Sequence, residues 1–352
     1  MATKRSLRDS DMLIPLGVLG VLAGLDAALP PRILVSGSFG VAAIVASAIT
    51  TVRRTAFVGV AAVVLTALSP VWNHDLATPG WWIRLVMAVG LAALAVALAT
   101  IRIRRERALQ HMTAIAETAQ RALLRVIPPS VGSLKLATRY VSATKEALVG
   151  GDLYEVVESP DGVRLIVGDA RGKGLAAVQL AATVLAAFRR AAVTEFSLSE
   201  ISTDLDGVVT AVAGDEDFVT AVLAEIHDDN TVTLVNCGHH PPLLLTHDAD
   251  TGRLVDTGEP QLPLGLNPTP KPVTSHLPDG ARLLFYTDGL IETRNRQGAF
   301  FPLADRAPTL RGGSLEDALD GLLVQVADHA ADRLDDDMAL VIAEWHTRPE
   351  VA

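Results

Sequence analysis

The sequence predicts two units of different class, an all-helical membrane region followed by a soluble domain of mixed α and β structure, and three observations carry the prediction. Four apolar runs, at about residues 12–29, 33–50, 56–72 and 82–101, fill the N-terminal third, each close to the roughly 20 residues that span a hydrocarbon core. Charge is split unevenly: residues 1 to 107 hold eleven Lys and Arg against five Asp and Glu, and the rest of the 352-residue chain holds nineteen against thirty-five. From about residue 133 onward, short strand-like apolar runs separated by turn residues alternate with helix-length apolar stretches.

The four runs read as four spans. The first is not taken as a removable leader, because three more apolar runs follow it at once. Lys4, Arg5 and Arg8, then Arg53 and Arg54, then Arg102, Arg104, Arg105 and Arg107 fall on one side, and only Arg32 and Arg84 fall opposite. The positive-inside rule therefore places both ends of the region in the cytoplasm, and the soluble domain with them. Trp72, Trp81 and Trp82 flank the second outer loop, as interface-anchoring aromatics do. Asp26 lies inside the first span near its outer end; at mid-bilayer an aspartate costs on the order of 3 kcal/mol. It reads as an interfacial or helix-paired carboxylate, or as a ligand sensor.

The resulting division is a membrane domain over 1–104, a helical linker over 105–128, a soluble domain over 129–346 and a tail over 347–352. In the linker, Ala108, Met112, Ile115, Ala119, Ala122 and Val126 recur at alternating steps of four and three, a short heptad seam suited to a weak homodimer contact or to packing on the chain's own domain. Glu117 and Arg121 form an i,i+4 pair, and Pro128 and Pro129 stop the helix.

In the soluble domain, Leu134 to Val141 reads as a strand, and Leu153 to Glu158 with Val163 to Val167 as a hairpin turning at Pro160-Asp161-Gly162. A helix follows from about Leu175 to Ala192. A second runs from about Ser199 to Val212, with a capping-box-like start at Ser199/Ser202. Next come a hairpin turning at Asp228-Asp229-Asn230, a proline-rich excursion at 258–278, a strand at 281–286, a helix near 315–331 and a closing strand at 338–345. The acidic balance argues against nucleic acid as a partner, since phosphate binding needs clustered Lys and Arg. Cys237 is the single cysteine, which excludes an intrachain disulfide and a cysteine-based zinc site.

The chemistry is carried by four aspartates set in turns beside apolar runs: Asp152 in VGGDLYE, Asp169 in VGDARGKG, Asp288 in YTDGLIE and Asp336 in LDDDMALV, with Asp337 as the near rival of Asp336. Carboxylates converging from strand ends repel one another unless a hard cation lies between them, and oxygen ligands without a His or Cys cluster favour Mg²⁺ or Mn²⁺. Two such ions about 3.5–4 Å apart activate a water and neutralise a phosphoryl group, which predicts phosphoester hydrolysis.

Taken in order, VGGDLYE, VGDARGKGLAA, NCGHHPPLLL, LPLGL, YTDGLIE and DDDMALV resemble the stage II sporulation protein E-like branch of the bacterial metal-dependent (PPM, type 2C) Ser/Thr protein phosphatases, over about 133–345. The resemblance implies an α/β sandwich of two antiparallel sheets flanked by helices, with the metals at one end. It implies that Asp169 bridges two Mn²⁺ or Mg²⁺ ions, that the Ala170 carbonyl joins one of them, that Asp288 and Asp336 complete the site, and that Asp152 lies in it or just outside. Lys173 stands where the family usually has His, and the family's Asn-Ala-Gly-His stretch is Asn236-Cys237-Gly238-His239 here. Lys173 reads as a substrate-phosphate contact or a solvated lysine. His239 reads as a proton donor to the leaving group or as part of a turn beneath the site. The resemblance also implies the substrate, a phosphorylated anti-sigma-factor antagonist. An inactive phosphatase-fold scaffold is the main alternative, against which the retained aspartates argue. A nucleotide cyclase, suggested by the GGD turn, is opposed by the downstream TDG and DDD motifs.

Overall fold

The computed structural model describes residues 11–29, 35–142, 150–195, 197–214, 216–246, 251–330, 334 and 336–345, and the chain divides into two compact units, Met1–His111 and Met112–Ala352. Lys4, Arg5, Arg8, Arg32 and the 347–352 tail lie outside the described residues, as do the side chains of Glu117, Arg121 and Ala122.

In the first unit the apolar runs form α1 (Leu13–Ala28), a 3₁₀ turn at Ser36–Ser38, α2 (Gly40–Ile49), α3 (Val52–Leu68), α4 (Pro70–Asn73) and the first part of α5 (Pro79–Leu123). At about 1.5 Å per residue α1 and α2 fall short of a bilayer core, whereas Val52–Asn73 and Pro79–Gln120 are long and apolar enough to cross one. Packing here inverts that of a water-soluble bundle. Inside are mostly small residues, Ala42, Ala43, Ala46, Ala62 and Ala95 around Phe39 and Val58, while Leu13, Val21, Phe57, Val60, Ile83 and Val86 are exposed. Small residues let helix backbones approach closely where the surroundings are as apolar as the side chains themselves.

Asp26 is buried and fully partnered. Its Oδ1 accepts the backbone N–H groups of Val35 (2.7 Å) and Ser36 (2.8 Å), and its Oδ2 accepts Trp72 Nε1 and Asn73 Nδ2, each at 3.0 Å. Of the readings the sequence left open, this geometry is that of a pairing group, tying the end of α1 to the turn before α2 and to α4. Trp72, expected only as an interface anchor, is one of its donors.

The second unit begins with the end of α5 and continues through β1 (Ser130–Val131), β2 (Leu134–Val141), β3 (Asp152–Ser159), β4 (Gly162–Ala170), α6 (Leu175–Thr194), α7 (Leu198–Val212), β5 (Val219–Ile226), β6 (Thr231–Cys237), β7 (Leu243–Leu245), β8 (Arg253–Leu254), β9 (Val273–His276), β10 (Arg282–Tyr286), α8 (Asp288–Ile291), a 3₁₀ stretch at Leu303–Leu310, α9 (Leu315–His329) and β11 (Met338–Trp345). Among the described residues these strands form two antiparallel sheets, ordered β1-β2-β11-β10-β7-β8 and β3-β4-β5-β6-β9. The sheets face each other across one core, α6 and α7 cover the outer face of the second, and α9 covers the first.

Strand periodicity explains these layers. In β11, Ala339, Val341 and Ala343 enter the core between the sheets, while Met338, Leu340 and Ile342 pack beneath α9. Both faces are covered, so the strands read as nearly continuous apolar runs rather than the half-polar alternation of a solvated sheet. By length and composition α6 also resembles a span, yet it buries Val184, Leu185 and Phe188 with the sheet and is a core helix. The N-cap of α7 is Ser197, not the Ser199/Ser202 region: its Oγ accepts the Glu200 N–H at 3.3 Å and its hydroxyl donates to the Glu200 carboxylate at 3.0 Å.

The linker seam divides. Ala116 is fully buried against Val178 of α6, with Ala119 and Leu123 packed at the edge of the contact, whereas Met112 and Ile115 are exposed. Ala119 is therefore taken up by the chain's own domain.

Candidate metal centre

The two sheets deliver their carboxylates to one place. Asp152 opens β3, Asp169 stands one residue before the end of β4, and antiparallel register sets them directly opposite each other. Asp288 opens α8 two residues beyond the end of β10, and Asp336 lies two residues before β11, the strand paired with β10. One carboxylate oxygen each from Asp152, Asp169 and Asp288 all lie within 4.8 Å of one another. Asp336 lines the same cavity of about 320 Å³.

Glycines make this convergence sterically feasible. A Cβ on Gly151 would lie 2.2 Å from the Ala170 carbonyl oxygen, and one on Gly289 would lie 1.9 Å from the Asp337 carbonyl oxygen. The glycines of GGD and TDG are thus spacers that let strand-end backbones touch.

The electrostatics follow from the crowding. Burial, reinforced by the Asp169 charge, raises the Asp152 carboxyl well above its ordinary range. Burial followed by Asp288, Asp336 and Asp337 pushes Asp169 up to about 8, and Lys173 offsets only part of this. Asp288 is raised by burial, then by Asp336 and Glu292. A cluster of hard oxygen donors that cannot all ionise together is a donor set suited to a small divalent cation.

Each residue singled out from the sequence has a definite place. Asp336 is half-exposed and receives the Lys173 ammonium, with Nζ 3.2 Å from both oxygens. Asp337 instead turns inward: its Oδ2 accepts Gly150 N–H (2.6 Å) and the Tyr140 hydroxyl (2.8 Å), and its Oδ1 accepts the Ser142 hydroxyl (3.2 Å). Ala170 ends β4, with its carbonyl against Gly151. His239 lines the cavity but both ring nitrogens are occupied, Nδ1 with the Thr220 hydroxyl at 2.9 Å and Nε2 with the Tyr286 carbonyl at 3.1 Å. Since a carbonyl only accepts, Nε2 carries the proton and Nδ1 accepts, an assignment read from the network. Burial, then the adjacent His240, lowers the His239 pKa to about 3, so the ring is neutral and serves as a brace between β5 and β10.

Sequence reasoning missed several participants. The buried Thr287 donates to Asp152 Oδ2 at 2.9 Å and accepts the Ala339 N–H at 2.9 Å, joining both sheets. Its signal was its place directly before Asp288. His240, whose ring stacks on Tyr286 at 6.2 Å between centroids, and Thr220 line the cavity. Tyr140 lies outside every motif, on β2, and nothing local marks it.

Known proteins resemble this chain in sequence and in fold. Phosphoserine phosphatase RsbU of Bacillus subtilis (strain 168) is 25% identical over 187 residues, which are 52% of this chain and 54% of RsbU. The structure of the RsbU and RsbW domains of Rv1364c from Mycobacterium tuberculosis superposes with a TM-score of 0.54 at 26% identity, covering 62% of each chain. The SiaA-PP2C domain of Pseudomonas aeruginosa gives a TM-score of 0.55 at 18% identity, covering 70% of this chain and 98% of that domain, a likeness of fold. The chain thus spans a little over half the length of its curated relative. The family model for stage II sporulation protein E matches residues 159–346, more than half of the chain; the match takes in Asp169, Asp288 and Asp336 and begins after Asp152. The chain therefore belongs to the stage II sporulation protein E family of PPM-type phosphatases.

Proposed function

We propose that this chain is a membrane-anchored, metal-dependent protein serine/threonine phosphatase acting on a phosphorylated regulatory protein, by family resemblance an anti-sigma-factor antagonist. The observation that carries this reading is the meeting of Asp152, Asp169 and Asp288 within 4.8 Å in an open cavity, with Asp336 on its wall. These four carboxylates, with the Ala170 carbonyl, would hold two Mn²⁺ or Mg²⁺ ions. Such ions, when bound, lower the pKa of a water and neutralise phosphoryl oxygens. The chain's own residues do the rest. The cavity mouth leaves room for a side chain presented by another protein, and Lys173 stands at it as a half-exposed flexible cation within reach of a phosphate oxygen. The name of the Bacillus subtilis relative supports phosphoserine as the substrate group.

Anchoring is supported by the inverted packing of the first unit and its two long apolar stretches. The arginines at 53, 54, 102, 104, 105 and 107 support a cytoplasmic phosphatase domain by the positive-inside rule. The exposed Met112 and Ile115 offer a weak homodimer contact in the linker. Met112→Glu with Ile115→Glu should weaken self-association in sedimentation runs and leave the fold intact; equal sedimentation of both proteins would reduce the linker to a tether.

The deciding experiment incubates the full chain in detergent with Mn²⁺ and a phosphorylated antagonist, with GTP as control. Phosphate release from the protein alone is expected. Turnover of GTP, or no turnover of any phosphoprotein with metal demonstrably bound, would defeat the proposal.

A further inference from the structure

Asp337 is a buried acid that the metal reading does not use as a ligand, and its surroundings show another task. Its Oδ2 is shared by Gly150 N–H, at 2.6 Å, and by the Tyr140 hydroxyl, at 2.8 Å. Gly150 lies two residues before Asp152, and Asp337 itself follows Asp336, whose Oδ1 accepts the Asp337 N–H at 3.0 Å. One side chain thus binds together the turn that aims Asp152 and the turn that aims Asp336. Tyr140 reaches it from β2, whose partner β11 pairs Tyr140 with Ala339, so the hydroxyl comes from a rigid sheet rather than a loop. The buried amide of Gln120, near the end of α5, lies beside the same hydroxyl. Burial and the Asp337 charge keep that hydroxyl protonated, hence a donor.

We propose that Tyr140 is a positioning residue of the metal centre, its hydroxyl locking Asp337 in the rotamer that clasps Gly150 and so sets the separation of Asp152 from Asp336. This rests on the metal reading above. It goes beyond it in giving Asp337 and Tyr140, neither of them ligands, control of how tightly the site closes. Groups that orient metal ligands through one hydrogen bond typically tune metal affinity by about 10–100-fold.

The test compares the full chain in detergent with Tyr140→Phe, which removes one oxygen and keeps the ring, and with Asp337→Asn, which keeps an acceptor for Gly150 and Tyr140 but removes the charge. Mn²⁺ titration by calorimetry and thermal unfolding of the EDTA-treated proteins are read side by side. Tyr140→Phe should weaken Mn²⁺ binding about tenfold with the metal-free melting temperature nearly unchanged, and saturating Mn²⁺ should restore turnover. Asp337→Asn should stay closer to wild type. Wild-type Mn²⁺ affinity in Tyr140→Phe overturns the proposal, as does a drop in metal-free melting temperature large enough to account for the weaker binding. Loss of binding in Asp337→Asn as complete as in Asp169→Asn would make Asp337 a ligand and overturn it too. A wild-type chain that binds no Mn²⁺ would instead remove the metal reading on which the proposal stands.

Discussion

Asp26 in the first unit and the Asp152, Asp169 and Asp288 group in the second are both buried acidic features, but they are satisfied in opposite ways. Asp26 has two oxygens and four donors, all from the protein and all between 2.7 and 3.0 Å. Among the described residues Asp152 has one side-chain donor, Thr287, and it faces other carboxylates, whose charges raise its pKa beyond what burial does. A carboxylate saturated by protein donors is a structural tie. Carboxylates turned toward each other must hold protons or a metal cation between them. Asp337, with three donors of its own, belongs to the first kind although it sits beside the second.

The sharpest way to break this contrast is to remove charge from the crowded group. Asp169→Asn or Asp288→Asn should lower Mn²⁺-dependent turnover by at least about 100-fold, given the several kcal/mol that a metal's charge stabilisation supplies, while circular dichroism stays native. Near-normal turnover in both variants would take these residues out of the catalytic role.

Asp26→Ala should do the reverse, costing on the order of 3 kcal/mol of stability because four buried donors lose their acceptor, with turnover per folded molecule preserved. Unfolding of the full chain in detergent measures it; a loss under about 0.5 kcal/mol would mean that water or lipid replaces the carboxylate.

Metal addition is the next step down. At a concentration a hundred times its Kd, Mn²⁺ should stabilise the native chain by about 2.7 kcal/mol, reversibly with EDTA. A melting curve indifferent to millimolar metal, in protein shown to be metal-free, would count against a preformed site.

The smallest effect is expected from Thr287→Val, which keeps the shape but leaves Asp152 Oδ2 and the Ala339 N–H without their shared hydroxyl. About 1–2 kcal/mol of stability should be lost and Mn²⁺ binding weakened several-fold. If binding tightens instead, Thr287 restrains Asp152 rather than aiming it.

Much of this was legible in the sequence because it is local. Turn residues and apolar periodicity located β2, the β3–β4 hairpin, α6 and β11 to within a few residues, since strands and helices write their periods along the chain. The acidic turns stood out because each aspartate sits beside a glycine or another aspartate. Other features were not local. That Asp336 rather than Asp337 opens toward the cavity depends on Tyr140, Ser142 and Gly150, all nearly two hundred residues earlier in the chain. For His239 the sequence left open a proton donor or part of a turn beneath the site, and Thr220 and Tyr286, which occupy both of its nitrogens, are remote from it in sequence. α6, read from the sequence as a helix of the soluble domain, is long and apolar enough to cross a membrane, and its burial against the sheet makes it a core helix.

By itself, then, the sequence determined which residue types were available, where the chain turns and that four carboxylates sit at strand ends, because backbone preference and side-chain period act over a few residues. Tertiary structure decided which of those carboxylates face each other and which are tied off, because a hydrogen-bond partner or a neighbouring charge is set by strand register and sheet packing, which bring together residues that no local pattern connects.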